Sequence, residues 1–591
     1  MSTAIGAIAP VIKRSGTLLS ADWMEKLTSM RISREVGLVG RATLRFTDSG
    51  YSLSASDTFA LGTKVTLAVP DADDLFKGTV TGINLDQSAS ELPELVVVID
   101  DDGYKLGRGT RVTTFLNTTY DEVIRKMAQH HTMKVETADT GGSQLEYLMQ
   151  AGTDLEFLNS IVERTGCVWY VETNGALVIK KIALGSPAAT LALRDELREF
   201  SVRASGLRPT ELKVNGWNPA QQENIVGQNP ATASSESPNL IGKYVGSGPS
   251  SSLTAASASV AQLSPLTQSE ANAIAGSLYN DWASAAVVAR GTADINSAIK
   301  PGVTVKIKQA GPASGNYLVT GVEHIYDSGG FVTKFTAGSH RPSGLVDTLG
   351  SAPADPGFLI GSLVVGVVSQ NDDPDNTGRI KVQYKGINGE IESPWARVVT
   401  LGGGHARGVV FQPEVNDEVL VAFERGDTRR PVVIGGLYSK KNTLPTGSKY
   451  VAAGGTVDYR RITSRKNHMI EMADGTEPTE QHILLQLGTA SHTLRLGADA
   501  FAIKMASGKP VSIQAGDAKF EITAAGDITM EANNITIKAK VALKMQGGTQ
   551  AELKGTQTAI QGTQVQVKAD GVGSVEAGGP LTLKGAIVGI N

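Results

Sequence analysis

Cysteine is almost missing from this sequence: Cys167 is the only one in 591 residues. No intrachain disulfide can form, which is compatible with a reducing compartment. A lone nucleophile is conceivable at Cys167, but it opens the apolar run "CVWYV" after "RTG", and a buried strand position accounts for it better. Aromatics are sparse at 5%, and the formal charge of −4 gives no bulk attraction to a polyanion. The N-terminal "MSTAIGAIAPVIKRSG" has no charged leader followed by a sustained apolar core, so no Sec-type signal peptide is expected. No apolar run is long enough to span a bilayer. Synthesis and folding in the cytoplasm is the expectation.

What is present is glycine, 66 residues, above the usual usage of about 7%, which favours turn-dense β architecture. Short alternating runs such as "ATLRFTD", "TKVTLAV" and "ELVVVIDD" predict a small barrel over roughly the first 110 residues. A helix follows in "TYDEVIRKMAQHH", capped by Thr119 or Asp121, with Val123, Ile124, Met127 and Ala128 on one face. Gly152 to Ile179 reads as a helix capped by Thr153 or Asp154, then a hairpin turning at Asn174-Gly175. After the Ser/Ala/Gly/Pro-rich stretch 227–265, a helix is predicted from about Ser269 to Ala289, and further strands complete a second barrel. Beyond a Pro/Gly/Ala linker, about five short strands between 358 and 440 outline an OB-like barrel.

From about His468 the pattern becomes a ladder. Apolar pairs recur at Leu485/Leu487, Leu494/Leu496, Ile503/Met505, Val511/Ile513, Phe520/Ile522, Ile528/Met530, Ile535/Ile537 and Val565/Val567. The spacing is about eight residues, within the range of β-helical stacks. A run of four to six residues with one apolar face has nothing in cis to cover that face, and its open edges invite aggregation. Three chains wound about one axis remove both problems, with the aliphatics inside and Thr, Lys, Gln and Glu outside. The predicted trimer core comprises Leu494, Leu496, Ile503, Met505, Val511, Ile513, Ile528, Met530, Ile535, Ile537, Val565 and Val567.

Several motifs suggest chemistry and then lack a component. His130 and His131 could hold a metal, but no Cys or His stands nearby at ligand spacing, and histidines in a last helical turn suit the helix dipole. "NDDPDNTG", Asn371 to Gly378, has calcium-loop acids at Asp373 and Asp375, yet the twelfth position is Tyr384 rather than a bidentate Glu. An Asx-rich turn fits better. "LGGGHARG" lacks the Lys-Ser/Thr of a phosphate loop and reads as a flexible connection. Glu163 and Glu172 could pair as glycosidase carboxylates, but solvated helix and strand faces explain them. No catalytic residue, metal ligand or cofactor site is assigned.

The OB-like segments "GVVSQNDDPDNTGRIKVQY", "SPWARVV" and "PEVNDEVLVAFERGDTRRPVVIGGLY" closely resemble the OB domain of phage baseplate spikes and VgrG proteins. "TDLEFLNSIVERTGCVWYV", "LKVNGWNP" and "GNYLVTGVEH" look like their tube-adapting region, and "GGPLTLKGAIVGIN" is similar to the endings of many such spikes. The resemblance implies a mainly β chain in this order: a first hub β-barrel (1–110), an α/β hub insertion (111–200), a second hub β-barrel (201–345) with its low-complexity loop (227–265), and a linker (346–357). An OB-fold neck (358–440), a linker (441–467) and a triple-stranded β-helix or β-prism spike formed as a homotrimer (468–591) complete it. The implied function is the central spike and hub of a contractile injection system, matching a hexameric tail tube to a threefold needle and puncturing the target envelope when the sheath contracts.

Implied partners are two further copies of the chain, the tail-tube protein, baseplate proteins and, transiently, the target envelope. Some related spikes carry an iron-binding His-x-His tip, but no histidine follows His492 here. A blunt end docking a conical PAAR-like protein is expected instead, through Gly585, Ile587, Val588, Ile590 and Asn591. Among phage tail, type VI apparatus and free extracellular particle, the compact hub and the lack of a fused effector extension favour the last. The alternatives are a spike-associated muramidase or depolymerase and an OB-fold nucleic-acid binder. For the latter, charges in the neck are nearly balanced, and Tyr384, Trp395, Phe411 and Phe423 are distributed as for a core.

Overall fold

The alternation read from "ATLRFTD" and "ELVVVIDD" becomes strands Arg41–Thr47 and Glu94–Asp100, paired antiparallel with Leu44 opposite Val97. In the computed structural model, residues 9–70, 72–141, 144–181, 183–204, 211–218, 223–229, 257–260, 265, 267–284, 287–338, 363–385, 390–445, 451, 454–488 and 492–590 are described. They divide into two compact units, Met1–Leu444 and Pro445–Asn591.

In the first unit, the two expected barrels share one 13-stranded sheet. The join is strand Leu27–Glu35 lying antiparallel to strand Gly315–Asp327, with Ile32 opposite His324. This pairing spans almost the whole hub sequence, so no local pattern announces it. Each half keeps its own core: Met30, Ile32, Leu44, Phe46 and Ile99 in one, Leu197, Ala289, Val305, Val319 and Phe335 in the other. Trp23 stands edge-on to Phe46, centroids 5.1 Å apart, as such rings prefer.

The α/β insertion follows its sequence cues closely. Helices Tyr120–His130 and Asp154–Thr165 each begin with a capping box, Thr119 with Glu122 and Thr153 with Glu156. Threonine, rather than the aspartate offered as an alternative, is the cap in both. Val123, Ile124, Met127 and Ala128 are all buried, as are Leu158 and Ile161 of the second helix. Gly166, at φ +70°, ends that helix, and a Cβ there would lie 2.5 Å from Ser277. The hairpin between Cys167–Val171 and Leu177–Lys181 turns at Asn174-Gly175 as expected. The helix predicted to reach Ala289 spans Gln268–Ser284, and strand Val287–Asp294 follows it. In the segment read as a low-complexity loop, Ser257–Val260 is a strand parallel to Glu211–Asn218. Residues 230–256 and the linker 346–357 lie outside the described residues.

The OB-like module is a five-stranded sheet in the order Lys381–Gln383, Val364–Gln370, Glu418–Phe423, Pro431–Gly436, Arg397–Val398. Its core of Val368, Ile380, Val382, Tyr384, Val419 and Val421 also takes in Tyr147 and Met149 from strand Gln144–Thr153 of the insertion.

The second unit begins with a five-stranded antiparallel meander: Tyr459–Thr463, Met469–Asp474, Gln481–Leu487, His492–Gly497 and Phe501–Lys504. Its first strand falls in the stretch read as the linker 441–467. A three-stranded sheet of Val511–Ala515, Ala518–Ile522 and Ile528–Glu531 follows. These strands therefore do find hydrogen-bonding neighbours in cis, where the sequence suggested none. From 532 to 590 no strand or bridge forms.

Candidate assembly surfaces

The meander puts the ladder residues in register. Ile462 lies opposite Ile470, Ile470 opposite Leu485, Leu485 opposite Leu494, and Leu494 opposite Ile503. A second row runs Met472, Ile483, Leu496, Phe501. Two residues along a strand return to the same face, so both rows share one face, and every member is exposed, from 37% at Leu494 to 62% at Phe501. On the other face one charged pair is sheltered. Glu471 is 3% exposed, pairs with Arg461, and takes a 3.0 Å contact from His482 Nε2. The Arg461 guanidinium also lies over the Tyr459 ring. This inverts the usual half-buried sheet, with aliphatics in water and an ion pair out of it.

The remaining sites named from sequence extend the pattern. Val511, Ile522 and Ile528 form one cross-strand row and Ile513, Phe520 and Met530 another. Met505 follows the last meander strand and is half-buried. Ile535, Ile537, Val565 and Val567 lie on chain without intrachain pairing, all more than half exposed. Gly585, Ile587, Val588 and Ile590 are likewise open, whereas Asn591 lies outside the described residues.

In the OB-like module, the suspected calcium loop is closed by its own cation. Asp373 accepts from the backbone N–H of Asp375, Thr377 and Arg379 and from Thr377 Oγ1. Arg379 Nη2 lies 2.6 Å from its Oδ1 and also pairs with Asp375. The Arg379 guanidinium holds the Asp373 carboxyl well below the usual carboxylate range. "LGGGHARG" forms a hairpin closed by a bridge between Gly404 and Arg407. Of the four aromatics read as core, Tyr384 and Phe423 are buried, Trp395 is half-buried beneath Lys381, and Phe411 is 63% exposed. Phe411 corrects the expectation, and its neighbour Val410 is 85% exposed.

The module is fastened to the hub by an ionic cluster. Arg429, whose side chain is almost wholly buried, lies 2.8 Å from Asp427 and 2.9 Å from Glu270 of helix Gln268–Ser284. Arg164, from helix Asp154–Thr165, reaches the same two acids at 3.7 and 3.8 Å. Burial works against the charge on Arg429, but Asp427 and then Glu270 hold its guanidinium above the ordinary value.

Elsewhere in the hub, polar residues that sequence left unassigned prove to be structural. His131 Nε2 lies 2.6 Å from Asp154, which also accepts from Arg111 and Gln150. His131 thus bridges two helices, a role beyond the dipole reading. Cys167 is buried at the start of its strand, and burial pushes its thiol up. Glu163 is exposed, and Glu172 faces Lys300 at 4.0 Å. No hydrogen bond or ion pair joins these two acids among the described residues, and no metal-binding cluster of His, Cys, Asp and Glu occurs among them.

The family described as the Alg8 N-terminal domain matches residues 6–327, more than half of the chain. The Type VI secretion system/phage-baseplate injector OB domain matches residues 364–438, the five-stranded module. The chain belongs to the Alg8 N-terminal domain family and is a VgrG-like baseplate spike protein. Among curated VgrG relatives, the type VI secretion system spike protein VgrG5 of Pseudomonas aeruginosa is 38% identical over 88 residues, 14% of this chain and 11% of that protein. VgrG3 of Vibrio cholerae is 35% identical over 86 residues, 14% of this chain and 8% of that protein. The chain thus spans about a tenth of the length of the curated relatives it matches. Among solved structures, an Escherichia coli type VI secretion component described as similar to T4 bacteriophage tail proteins is 14% identical, with a TM-score of 0.46, covering 72% of this chain and 99% of that one. The Francisella PdpA-VgrG complex gives 8% identity and a TM-score of 0.44, covering 86% of this chain and 76% of that one.

Proposed function

We propose that this VgrG-like protein works as a homotrimer, the central spike and hub of a contractile injection baseplate, and that its task is mechanical. The hub would seat on a hexameric tail tube and other baseplate proteins, and the C-terminal unit would form a threefold shaft that punctures the target envelope when the sheath contracts. The observation that carries this reading is the exposed pair of aliphatic rows across the meander, Ile462 to Ile503 and Met472 to Phe501. Exposed patches of this extent mark an interface. At about 1.5 to 3 kcal/mol for each large aliphatic fully buried, covering them is a strong drive to assemble.

The shaft has two parts in this reading. Over 459–531 each copy contributes a ready-made wall, three walls enclosing a prism lined by Leu494, Leu496, Ile503, Met505, Val511, Ile513, Ile528 and Met530. Beyond 531, where no intrachain pairing exists, Ile535, Ile537, Val565 and Val567 turn inward only as three chains wind together into a triple-stranded β-helix. The end, Gly585, Ile587, Val588, Ile590 and Asn591, offers open backbone groups to a PAAR-like tip protein. In this reading the chain is synthesised in the cytoplasm and built into a tail-like particle that acts free outside the cell. Light scattering on the purified full chain at micromolar concentration should give three times 61.9 kDa. A monodisperse single-copy mass with the shaft ordered would overturn the reading.

A further inference from the structure

The OB module leaves two separate apolar surfaces open. The first is the outer face of its sheet. Inward residues such as Val364 and Val421 fill the barrel, yet the residues alternating with them are also aliphatic: Val365, Val367, Leu420, Ala422, Val432 and Ile434. Val365 is 43% and Ile434 44% exposed. A solvated outer face would alternate to polar side chains here. The second surface is the hairpin leaving the edge strand Arg397–Val398. Val399 N donates to Val433 O at its root, Val409 N donates to Leu401 O, and the tip closes between Gly404 and Arg407. Leu401, Val410 and Phe411 project from it, at 77%, 85% and 63% exposure.

We propose that the hairpin of one copy packs on the outer sheet face of the next, closing a three-membered ring at the OB level. This rests on the trimeric reading above. Neighbours around a threefold axis meet through two different patches, whereas a twofold dimer uses one patch twice. One module bearing two unlike apolar patches meets the threefold requirement. Charge selects a second copy as the occupant. Glu418 stands on the same outward face as Leu420, opposite Val367, and its carboxylate has no ion-pair partner among the described residues. Arg407, exposed at the hairpin tip beside His405, has none either. Seating Leu401, Val410 and Phe411 over Val365, Leu420 and Ile434 brings Arg407 of one copy toward Glu418 of the next. The acid at the margin of one patch then meets the base at the tip of the other.

The test uses the full chain. Arg407→Glu and Glu418→Arg should each raise the protomer concentration at half-dissociation about tenfold, and the double exchange should restore most of it. Single exchanges without effect, or a double exchange no better than the worse single, would overturn the inference. Independently, Arg407→Cys/Glu418→Cys chains treated with a short bismaleimide should yield covalent dimers and trimers that neither single variant gives. A trimeric mass without those cross-links would sink the hairpin contact while leaving the trimer standing. A single-copy mass for the untreated wild type would instead sink the trimeric reading, and this contact with it.

Discussion

Leu44, Ile99 and Val319 of the first unit are fully buried by their own chain, while Leu496, Ile513 and Ile537 of the second, residues of the same kind in the same alternation, are more than half exposed. Backbone geometry does not separate the two cases, since Leu44 and Leu496 both sit in antiparallel ladders. The difference lies in what faces the sheet. In the hub, strand Gly315–Asp327 runs from one core to the other, and each core is filled by side chains from many strands. In the meander, each strand pairs with the next in order, which satisfies hydrogen bonds and leaves one face uncovered. Strand pairing alone therefore does not make a self-sufficient domain; a second layer over the apolar face does.

The contrast breaks most completely at Leu494→Asp. Charged groups are too costly to bury without partners, so this substitution should abolish the proposed trimer outright, read as mass by light scattering, with the melting of the hub unchanged. Next in size is the ionic cluster of the first unit. Arg429→Met removes the closest cation from Asp427 and Glu270, leaving the longer Arg164 contacts, and should cost about 3 kcal/mol, because breaking a buried pair weakens the compensation of the surviving charges. It should lower the denaturant midpoint of the first unit without changing the mass measured in solution.

A pH profile sharpens the contrast further, because the hub buries ionisable groups of opposite sense. Burial, reinforced by nearby Arg34, pushes His324 down to about 3 from 6.5. Between those limits the unfolded chain binds the extra proton, so His324 costs stability as pH falls from about 6.5 toward 3. Burial pushes Asp101 up to about 7 from 3.8, against the hydrogen bonds it accepts from Gly103 and Gly40. Its contribution is instead lost as pH rises from about 4 to 7, so the two slopes offset each other over the shared window. His324→Gln removes one of them. Relative to wild type, the variant should gain up to about 1.4 kcal/mol for each pH unit lowered from about 6.5 to 4.5, measured by chemical unfolding. The smallest effect belongs to Thr153→Ala, which deletes one capping box and should cost about 1 kcal/mol in hub stability, seen as a small drop in melting temperature.

Much of this was legible wherever the controlling physics is local. Thr119 and Thr153 announce their helices through a glutamate three residues on, Asn174-Gly175 announces its turn, and Ile528/Met530 announces a strand with one apolar face. Long-range pairing was not legible. Nothing in "SMRISRE" states that Ile32 will lie opposite His324, so two barrels were expected where one continuous sheet joins two cores. Phe411 misled because an aromatic in a glycine-flanked segment carries no record of which side of a sheet it leaves. The Arg461–Glu471 pair on the sheltered face of the meander was also missed. Its one available signal was the placement of charged residues at alternate positions to Ile462 and Ile470.

The order of strand pairing in the second unit has a kinetic consequence. The ladders between 459 and 531 close within one copy, so assembly of the proposed trimer would begin as a collision of preformed plates. With three copies joined as proposed, the trailing segments 532–590 would be tethered side by side, and their winding would become a unimolecular zipper. Dilution would then slow the first event and leave the second untouched, and the proposed shaft would grow from 459 toward 590.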